Sequence, residues 1–329
     1  MATTSERTGN DAALIRPQDG TRGFWTRLTA NPAYRQASDL LLSSDRRRFW
    51  LLAVPALIWM FGTHLGPILT MIRISFMDSY PPTAGRIPEM TLENYLLFFQ
   101  APNYITPFVR TFVYSTCYTL LTLLLMYPIA YFLAKKLRPG RQMLFLLLLL
   151  VPFWVGEIVR TYAIMILLGN RGFLNIVLMG LGLTSRPIPF MYTGFSLGMG
   201  LVYLTSLYML LPLYASLEKI PRNYLEAAAD LGAGSWTRFR RVTLPLSKDG
   251  IASGCVLVFL ISTGYYATPV LLGGPSTTVF AETIAGFFHV AGDKWPEGAA
   301  FSTIMLLASL VTVGLFLRLL GRRRGNLLG

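Results

Sequence analysis

The sequence has 329 residues, of which 53% are hydrophobic and only 14% charged, and its formal net charge is +13. A soluble domain normally carries about a quarter charged residues, so this shortage of charge argues against a water-soluble enzyme. The basic residues lie in short clusters between long apolar runs rather than in one patch, which is typical of a membrane protein and not of a nucleic-acid-binding one.

The N-terminal segment, residues 1–47, is polar and rich in arginine, and we predict that it forms a cytoplasmic tail. No cleaved signal peptide is expected, because the first apolar run begins too far from the N-terminus. The tail contains Phe24, Trp25 and Leu28, and two structures remain open for it. It either lies on the membrane surface as an amphipathic helix or stays a disordered basic segment.

Six apolar segments in the remaining chain are long enough to cross a bilayer as helices, which takes about 20 residues. Their limits are 49–72, 111–134, 143–168, 190–217, 251–272 and 299–317. In hydrocarbon the backbone must pair its own polar groups, and these runs do not alternate with period two, so helices are favoured over a barrel. The sequence predicts an all-α integral membrane protein with a transmembrane domain over 48–320 and a basic C-terminal tail over 321–329.

The distribution of Lys and Arg predicts the orientation. If the N-terminus is cytoplasmic, the cytoplasmic segments hold 22 of the 29 basic residues. This excess indicates that both termini lie in the cytoplasm. The segments 78–107, 169–189 and 273–298 would then lie outside, and the last of these contains an apolar stretch, 279–290, that is compatible with a short helix.

The most informative segment, residues 218–249, joins the fourth and fifth predicted spans. It reads as helix, turn and helix. Residues 224–231 are rich in alanine and in other strong helix formers. Gly232 fits the position just after a helix, where a positive φ is needed, and a second short helix follows from Trp236.

This loop resembles the conserved cytoplasmic loop of permease subunits of ATP-binding-cassette importers, the binding-protein-dependent transport inner-membrane components. The family pattern is Glu-Ala-Ala, three residues, Gly, nine residues, an aliphatic residue, any residue and Leu-Pro. The matching residues here are Glu226, Ala227, Ala228, Gly232, Val242, Leu244 and Pro245. The resemblance implies that the loop docks in a groove of a separate ATPase subunit and couples it to the membrane helices. Glu226 would pair there with a basic group.

Two motifs for catalysis are missing from the sequence. It has no Gly-x-x-x-x-Gly-Lys-Ser/Thr phosphate-binding loop and no His-Glu-x-x-His. Its two cysteines, Cys117 and Cys255, lie in apolar runs, so we expect no metal, no cofactor and no enzymatic activity. The resemblance implies three kinds of partner: an ATP-binding subunit, a second permease subunit that is either homologous or identical, and an extracytoplasmic solute-binding protein.

A second resemblance concerns the transported solute. Pro152-Phe-Trp, Arg160-Thr-Tyr-Ala163, Gly169-Asn-Arg-Gly172 and Asn175 are similar to the spermidine/putrescine branch of these permeases. This resemblance implies uptake of polyamines across a bacterial inner membrane. The alternatives are a permease for an opine, ferric iron, sulfate or thiamine, or a facilitative channel or secondary carrier without an ATPase.

Four residues are candidates for the substrate path. Glu157 is the one carboxylate clearly inside a predicted span, and a charge there needs a partner or a water-filled cavity. It either pairs with Arg160, three residues later on the same helix face, or attracts a cationic solute. Tyr265 and Tyr266 of the fifth predicted span provide either cation–π faces or ordinary packing.

Overall fold

The computed structural model of the chain describes residues 45–82, 88–289 and 294–321. The predictions for the two terminal tails therefore fall almost entirely outside the described residues. The chain divides into two units, one ending at Thr70 and the other beginning at Met71.

The first unit contains helix α1 (Asp45–Met60), a π-helical turn (Phe61–Leu65) and the first half of α2 (Gly66–Ser75), and the boundary between the units falls within α2. A π-helical turn shifts the regular hydrogen-bond ladder, and polar side chains here bind carbonyl groups of the preceding turn. The Thr63 hydroxyl donates to the Trp59 carbonyl at 2.8 Å. The helical run from Phe49 to Ser75 is long and apolar enough to cross a membrane, as predicted.

The second unit is helical, and its described residues form two isolated β-bridges but no strand. Its helices after α2 are α3 (Glu93–Gln100), α4 (Pro102–Tyr131), α5 (Pro139–Leu150), α6 (Glu157–Leu168), α7 (Phe173–Gly180), α8 (Gly194–Glu218), α9 (Arg222–Asp230), α10 (Ser235–Arg238), α11 (Leu244–Leu246), α12 (Lys248–Gly264), α13 (Ala267–Leu272), α14 (Phe280–His289) and α15 (Trp295–Gly321). Two π-helical turns, Phe132–Lys136 and Phe239–Thr243, continue α4 and α10.

The prediction of about six membrane-spanning helices is confirmed. Five described helical segments have the necessary length and hydropathy, namely Phe49–Ser75, Pro102–Lys136, Glu157–Gly180, Gly194–Glu218 and Trp295–Arg318. A sixth span results if Ser235–Leu246 and Lys248–Gly264, which meet at an angle of 65°, are taken together.

The prediction of one continuous third span over 143–168 is wrong. Helix α5 ends at Leu150, a 3₁₀ turn follows over Val151–Trp154, and α6 begins after an extended Gly156 with ψ 152°. Pro152 gives a physical reason, because it has no N–H to donate to the preceding helical turn, and the backbone becomes extended at Val155 and Gly156. The spanning helix is instead Glu157–Gly180, and α7 therefore occupies part of the segment predicted to lie outside.

Helix α8 is the central helix of the second unit and packs against α4 and α12. Two glycines of α12 bring the axes of α8 and α12 close together. A Cβ atom at Gly250 would collide with Ser216 and lie 2.6 Å from the Pro212 carbonyl oxygen. A Cβ at Gly254 would lie 2.7 Å from the Met209 sulfur. Small residues at helix contacts permit this close approach in membrane proteins.

An aromatic cluster closes the other end of the helical bundle, away from the loop between α8 and α12. Its buried members are Phe98, Phe280, Phe287 and Phe301, from α3, α14 and α15. Phe98 meets Phe301 edge to face at 5.5 Å, an arrangement that aromatic rings prefer. The short helix predicted within 279–290 is confirmed as α14.

We predict that Gly250→Ala lowers the free energy of unfolding by about 1–3 kcal/mol, because the new methyl group must push the Pro212 backbone away. Gly314→Ala in α15 is the matched control, since a Cβ there meets nothing within 4 Å. Thermal unfolding of the purified protein in detergent is the measurement. Equal melting temperatures for the two variants would contradict the close packing of α8 and α12.

Candidate functional site

The loop between α8 and α12, residues 219–247, carries the predicted coupling motif. Its first helix, α9, ends at Asp230. Gly232, two residues later, has φ 80°, so the predicted positive φ just after the helix is confirmed. The N–H of Gly232 donates to the Ala229 carbonyl at 2.8 Å, and the N–H of Ala233 donates to the Ala228 carbonyl at 3.0 Å. These two bonds form the Schellman motif, which satisfies the last carbonyl groups of the helix.

Helix α9 presents its side chains to the surroundings, and none of its residues is buried. Glu226 and Ala227 are exposed, and Ala228 is half-buried. Leu231, which follows the helix, is 89% exposed. Trp236 and Tyr224 of the same loop are 71% and 52% exposed, so several large apolar side chains of the loop are available for contact with another protein.

The second half of the loop is anchored to α4 by aromatic rings. Trp236 stacks on Phe239 at 5.4 Å. Phe239 in turn meets Tyr127 edge to face at 5.6 Å and Tyr131 at 6.5 Å. The Tyr127 hydroxyl also shares a buried 2.9 Å hydrogen bond with Ser247, the residue between α11 and α12.

The remaining motif residues lie where the loop turns into the membrane helix. Val242 and Leu244 are half-buried and Pro245 is exposed. The chain stays helical through Leu246, so the change of direction comes at Ser247, two residues after Pro245.

The first half of the loop is also held to the end of α4. The Lys135 ammonium group donates to the Ile220 carbonyl at 2.5 Å. The Tyr214 hydroxyl donates to the Glu218 carboxylate at 2.9 Å, just before the loop begins. Sequence analysis missed these anchors, because Lys135, Tyr127 and Tyr131 lie about a hundred positions before the loop.

A separate polar cluster lies within the predicted substrate path. Glu157 is the first residue of α6, and its carboxylate accepts a hydrogen bond from the Thr268 hydroxyl at 3.1 Å. A negative charge is favoured at the N-terminus of a helix. Tyr265, in the break between α12 and α13, lies within electrostatic range of both Glu157 and Arg160. The structure therefore brings three of the four predicted path residues together.

The other candidate, Tyr266, points to a different region. It is 42% exposed and stacks on the His289 ring at 6.5 Å. The break at the Tyr265–Tyr266 pair explains the separation, because the extended backbone of Tyr265, with ψ 130°, sends the two rings in different directions.

Glu157 and Arg160 are both described by the structure, and they do not form the ion pair considered above. The Arg160 guanidinium lies over the Phe153 ring at 4.6 Å, in cation–π geometry. Its Nε and Nη1 atoms are buried without a hydrogen-bond partner. The Glu157 carboxylate is thus not neutralised by a direct salt bridge with Arg160.

Part of the polyamine-like motif has a structural role. Asn175 is 1% exposed, and its amide donates to the carbonyls of Gly169 and Ile188 at 3.1 and 3.0 Å. Its side-chain oxygen accepts from the Ile188 N–H at 2.8 Å. A Cβ at Gly172 would collide with the carbonyl oxygens of Ile166 and Leu167. These residues shape the turn between α6 and α7.

Comparison with known proteins identifies relatives over most of the chain. The family described as binding-protein-dependent transport system inner membrane component matches residues 98–326. The spermidine/putrescine transport system permease protein PotB of Haemophilus influenzae is 36% identical over 257 residues, which are 78% of this chain and 88% of that protein. PotB of Escherichia coli K12 is 38% identical, over 73% of this chain and 86% of that protein.

The fold also matches a solved structure. A chain in the crystal structure of a bacterial ABC transporter involved in the import of the acidic polysaccharide alginate has a TM-score of 0.69. The match covers 92% of this chain and 99% of that chain at 16% sequence identity, so it bears on the fold alone.

Proposed function

The chain belongs to the family of binding-protein-dependent transport system inner membrane components, and we propose that it forms part of the membrane path for polyamine uptake. It is a permease subunit of an ATP-binding-cassette importer, a multi-pass inner-membrane protein rather than an enzyme, and a separate subunit hydrolyses ATP. Family membership sets aside the alternative of a channel or carrier without an ATPase.

The observation that carries the polyamine assignment is the identity of 36–38% with PotB permeases over about three quarters of the chain. These relatives favour a polyamine over an opine, ferric iron, sulfate or thiamine. The polar cluster supports the assignment physically. A polyamine is a chain of ammonium groups, and such cations are recognised by carboxylates and aromatic faces. Glu157 and Tyr265 supply one of each, and Glu157 has no direct salt bridge with Arg160.

The loop over 218–249 would connect this path to the ATPase subunit. An exposed α9 with Glu226 and small alanines offers a docking surface, while Phe239 and Lys135 hold the base of the loop against α4. A movement of the docked loop would therefore act on α4 as well as on α12, to which the chain connects it directly.

The remaining partners follow from the same family membership. A solute-binding protein would deliver the polyamine from outside, as the family description binding-protein-dependent indicates. A second permease subunit, homologous or identical, would complete the path. We propose the same domain limits as the sequence suggests, with a tail over 1–47, a permease domain over 48–320 and a tail over 321–329.

The loop and both termini would face the cytoplasm. The positive-inside distribution of Lys and Arg motivates this orientation. Two contacts agree with this orientation, because each joins segments that are predicted to lie on the same side of the membrane. Lys135 bonds to Ile220, which joins two predicted cytoplasmic segments, and Tyr80 bridges to Lys294, which joins two predicted outer segments.

Labelling of single cysteines in intact cells tests the orientation. We expect a cysteine at Pro81 or Lys294 to react with an impermeant thiol reagent, and a cysteine at Arg138 or Arg240 to react only after the membrane is opened. Because Cys117 is exposed in the structure, both native cysteines are first replaced with alanine. Labelling of position 240 in intact cells would reverse the proposed orientation.

The coupling proposal predicts that Gly232→Val and Glu226→Lys abolish transport while the protein remains in the membrane. A β-branched residue at φ 80° is strained by about 1–2 kcal/mol, although a Cβ there meets no neighbouring atom within 4 Å. Glu226→Lys would place like charges together at the interface, at a cost of several kcal/mol. Co-purification of the ATPase subunit and substrate-stimulated ATPase activity are the readouts. Wild-type assembly and transport by both variants would refute the role of the loop.

For the path, we predict that Glu157→Gln raises the KM for spermidine uptake about tenfold, which corresponds to about 1.4 kcal/mol. The amide oxygen can still accept the Thr268 hydrogen bond, so the local structure is kept while the charge is lost. Glu93→Gln, which removes an acidic residue from the first turn of α3, is the matched control. An unchanged KM in the Glu157 variant would remove this residue from the substrate path.

A further inference from the structure

A concave pocket of about 620 Å³ lies where the loop meets the end of α4. Three lining residues come from the end of α4 and its π-helical turn, and the others come from the loop. The lining residues are Tyr131, Lys135, Lys136, Arg222, Leu225, Glu226, Ser235, Trp236, Arg238 and Phe239. A partner protein that docks on the loop therefore also contacts this pocket.

The pocket is strongly electropositive, with four cationic side chains and a single carboxylate, that of Glu226. Lys135 lies within electrostatic range of Arg222, which has the same charge, and of Glu218, whose carboxylate already accepts from Tyr214. Like charges gathered in one concavity are unfavourable until an anion enters.

The Arg238 guanidinium group in this pocket has a buried hydrogen-bond donor that lacks an acceptor. One terminal nitrogen, Nη2, donates a long 3.3 Å hydrogen bond to the Ser235 hydroxyl. Its Nε is buried and has no hydrogen-bond partner. A buried donor without an acceptor is costly, and a carboxylate is the strongest acceptor for a guanidinium group.

Most of the uncharged part of the wall is aromatic or aliphatic. The stacked Trp236 and Phe239 rings, Tyr131 and Leu225 lie beside the cationic groups. Trp236 is 71% exposed, so the pocket is open to a side chain of another protein.

We propose that this pocket receives an acidic side chain, Asp or Glu, of the ATPase subunit. The inference rests on the proposed function, in which that subunit docks on the loop. The proposed contact joins an acidic group of the partner to a basic pocket of this chain. Its charges are reversed relative to the Glu226 contact, in which Glu226 would pair with a basic group of the same partner. Two contacts of opposite sign at neighbouring points fix the register of an interface and disfavour wrong partners.

An anionic lipid headgroup is the competing occupant, and the make-up of the pocket favours the protein carboxylate. Seven of the ten lining residues belong to the loop itself rather than to a membrane helix.

Charge reversal in the assembled complex tests the proposal. We expect Arg222→Glu to weaken binding of the ATPase subunit at least about tenfold. Arg222 begins α9, where a negative charge favours the helix, so the variant should fold. Arg240→Glu is the matched control, because this exposed arginine of the same loop does not line the pocket. Equal affinities for Arg222→Glu and wild type would overturn the proposal.

Photocrosslinking identifies the occupant. A benzophenone amino acid replaces Leu225 in the full complex, reconstituted in nanodiscs that contain phosphatidylglycerol. A crosslink to an ATPase peptide that contains Asp or Glu next to the attachment point supports the proposal. A crosslink to lipid, or none to the ATPase subunit, overturns it.

The variants distinguish the acidic contact from the docking role of the loop. If Glu226→Lys and Gly232→Val disrupt coupling while Arg222→Glu has no effect, the loop is the docking element and only the acidic contact is wrong. If none of the three variants changes ATPase binding or transport, the proposed function of the loop is itself wrong.

Discussion

Helix α12 lies so close to α8 that a Cβ atom at Gly250 would collide with Ser216 and the Pro212 carbonyl. The loop between these two helices therefore begins and ends at a fixed pair of points. Because apolar side chains of separate membrane helices gain little by leaving lipid, such close backbone contact is a main source of helix association. The positions of the loop and of the neighbouring α4 depend on this contact.

The loop combines a rigid base with an exposed tip. At the base, Phe239 lies against Tyr127 and Tyr131, and Lys135 holds the Ile220 carbonyl. At the tip, no residue of α9 is buried. A force applied to the tip is thus carried into α4 and α12 together, since the rings and the hydrogen bond join the loop to a helix that is remote in sequence. This division of roles suits an element that links an ATPase to membrane helices.

Within the membrane part, the break between α5 and α6 has a chemical consequence. It makes Glu157 the first residue of a helix, where the helix dipole stabilises a carboxylate and the Thr268 hydroxyl reaches it. Arg160 is directed to the Phe153 ring instead. Both charges lie in α6 three residues apart, yet the Arg160 guanidinium is over the Phe153 ring and not against Glu157. The interruption near Pro152 and Gly156 places at the start of a helix a carboxylate that can interact with a cationic solute.

The sequence by itself determined the features that depend on neighbouring residues and on the solvent. Long apolar runs predict spanning helices because hydrocarbon leaves the backbone no other partner, and Gly232 predicts the end of α9 because other residues resist a positive φ. Tertiary structure decided what depends on residues far apart in the chain. It placed Phe239 against α4, assembled the basic pocket and separated Tyr265 from Tyr266. These contacts arise from the packing of whole helices, which local sequence patterns do not encode.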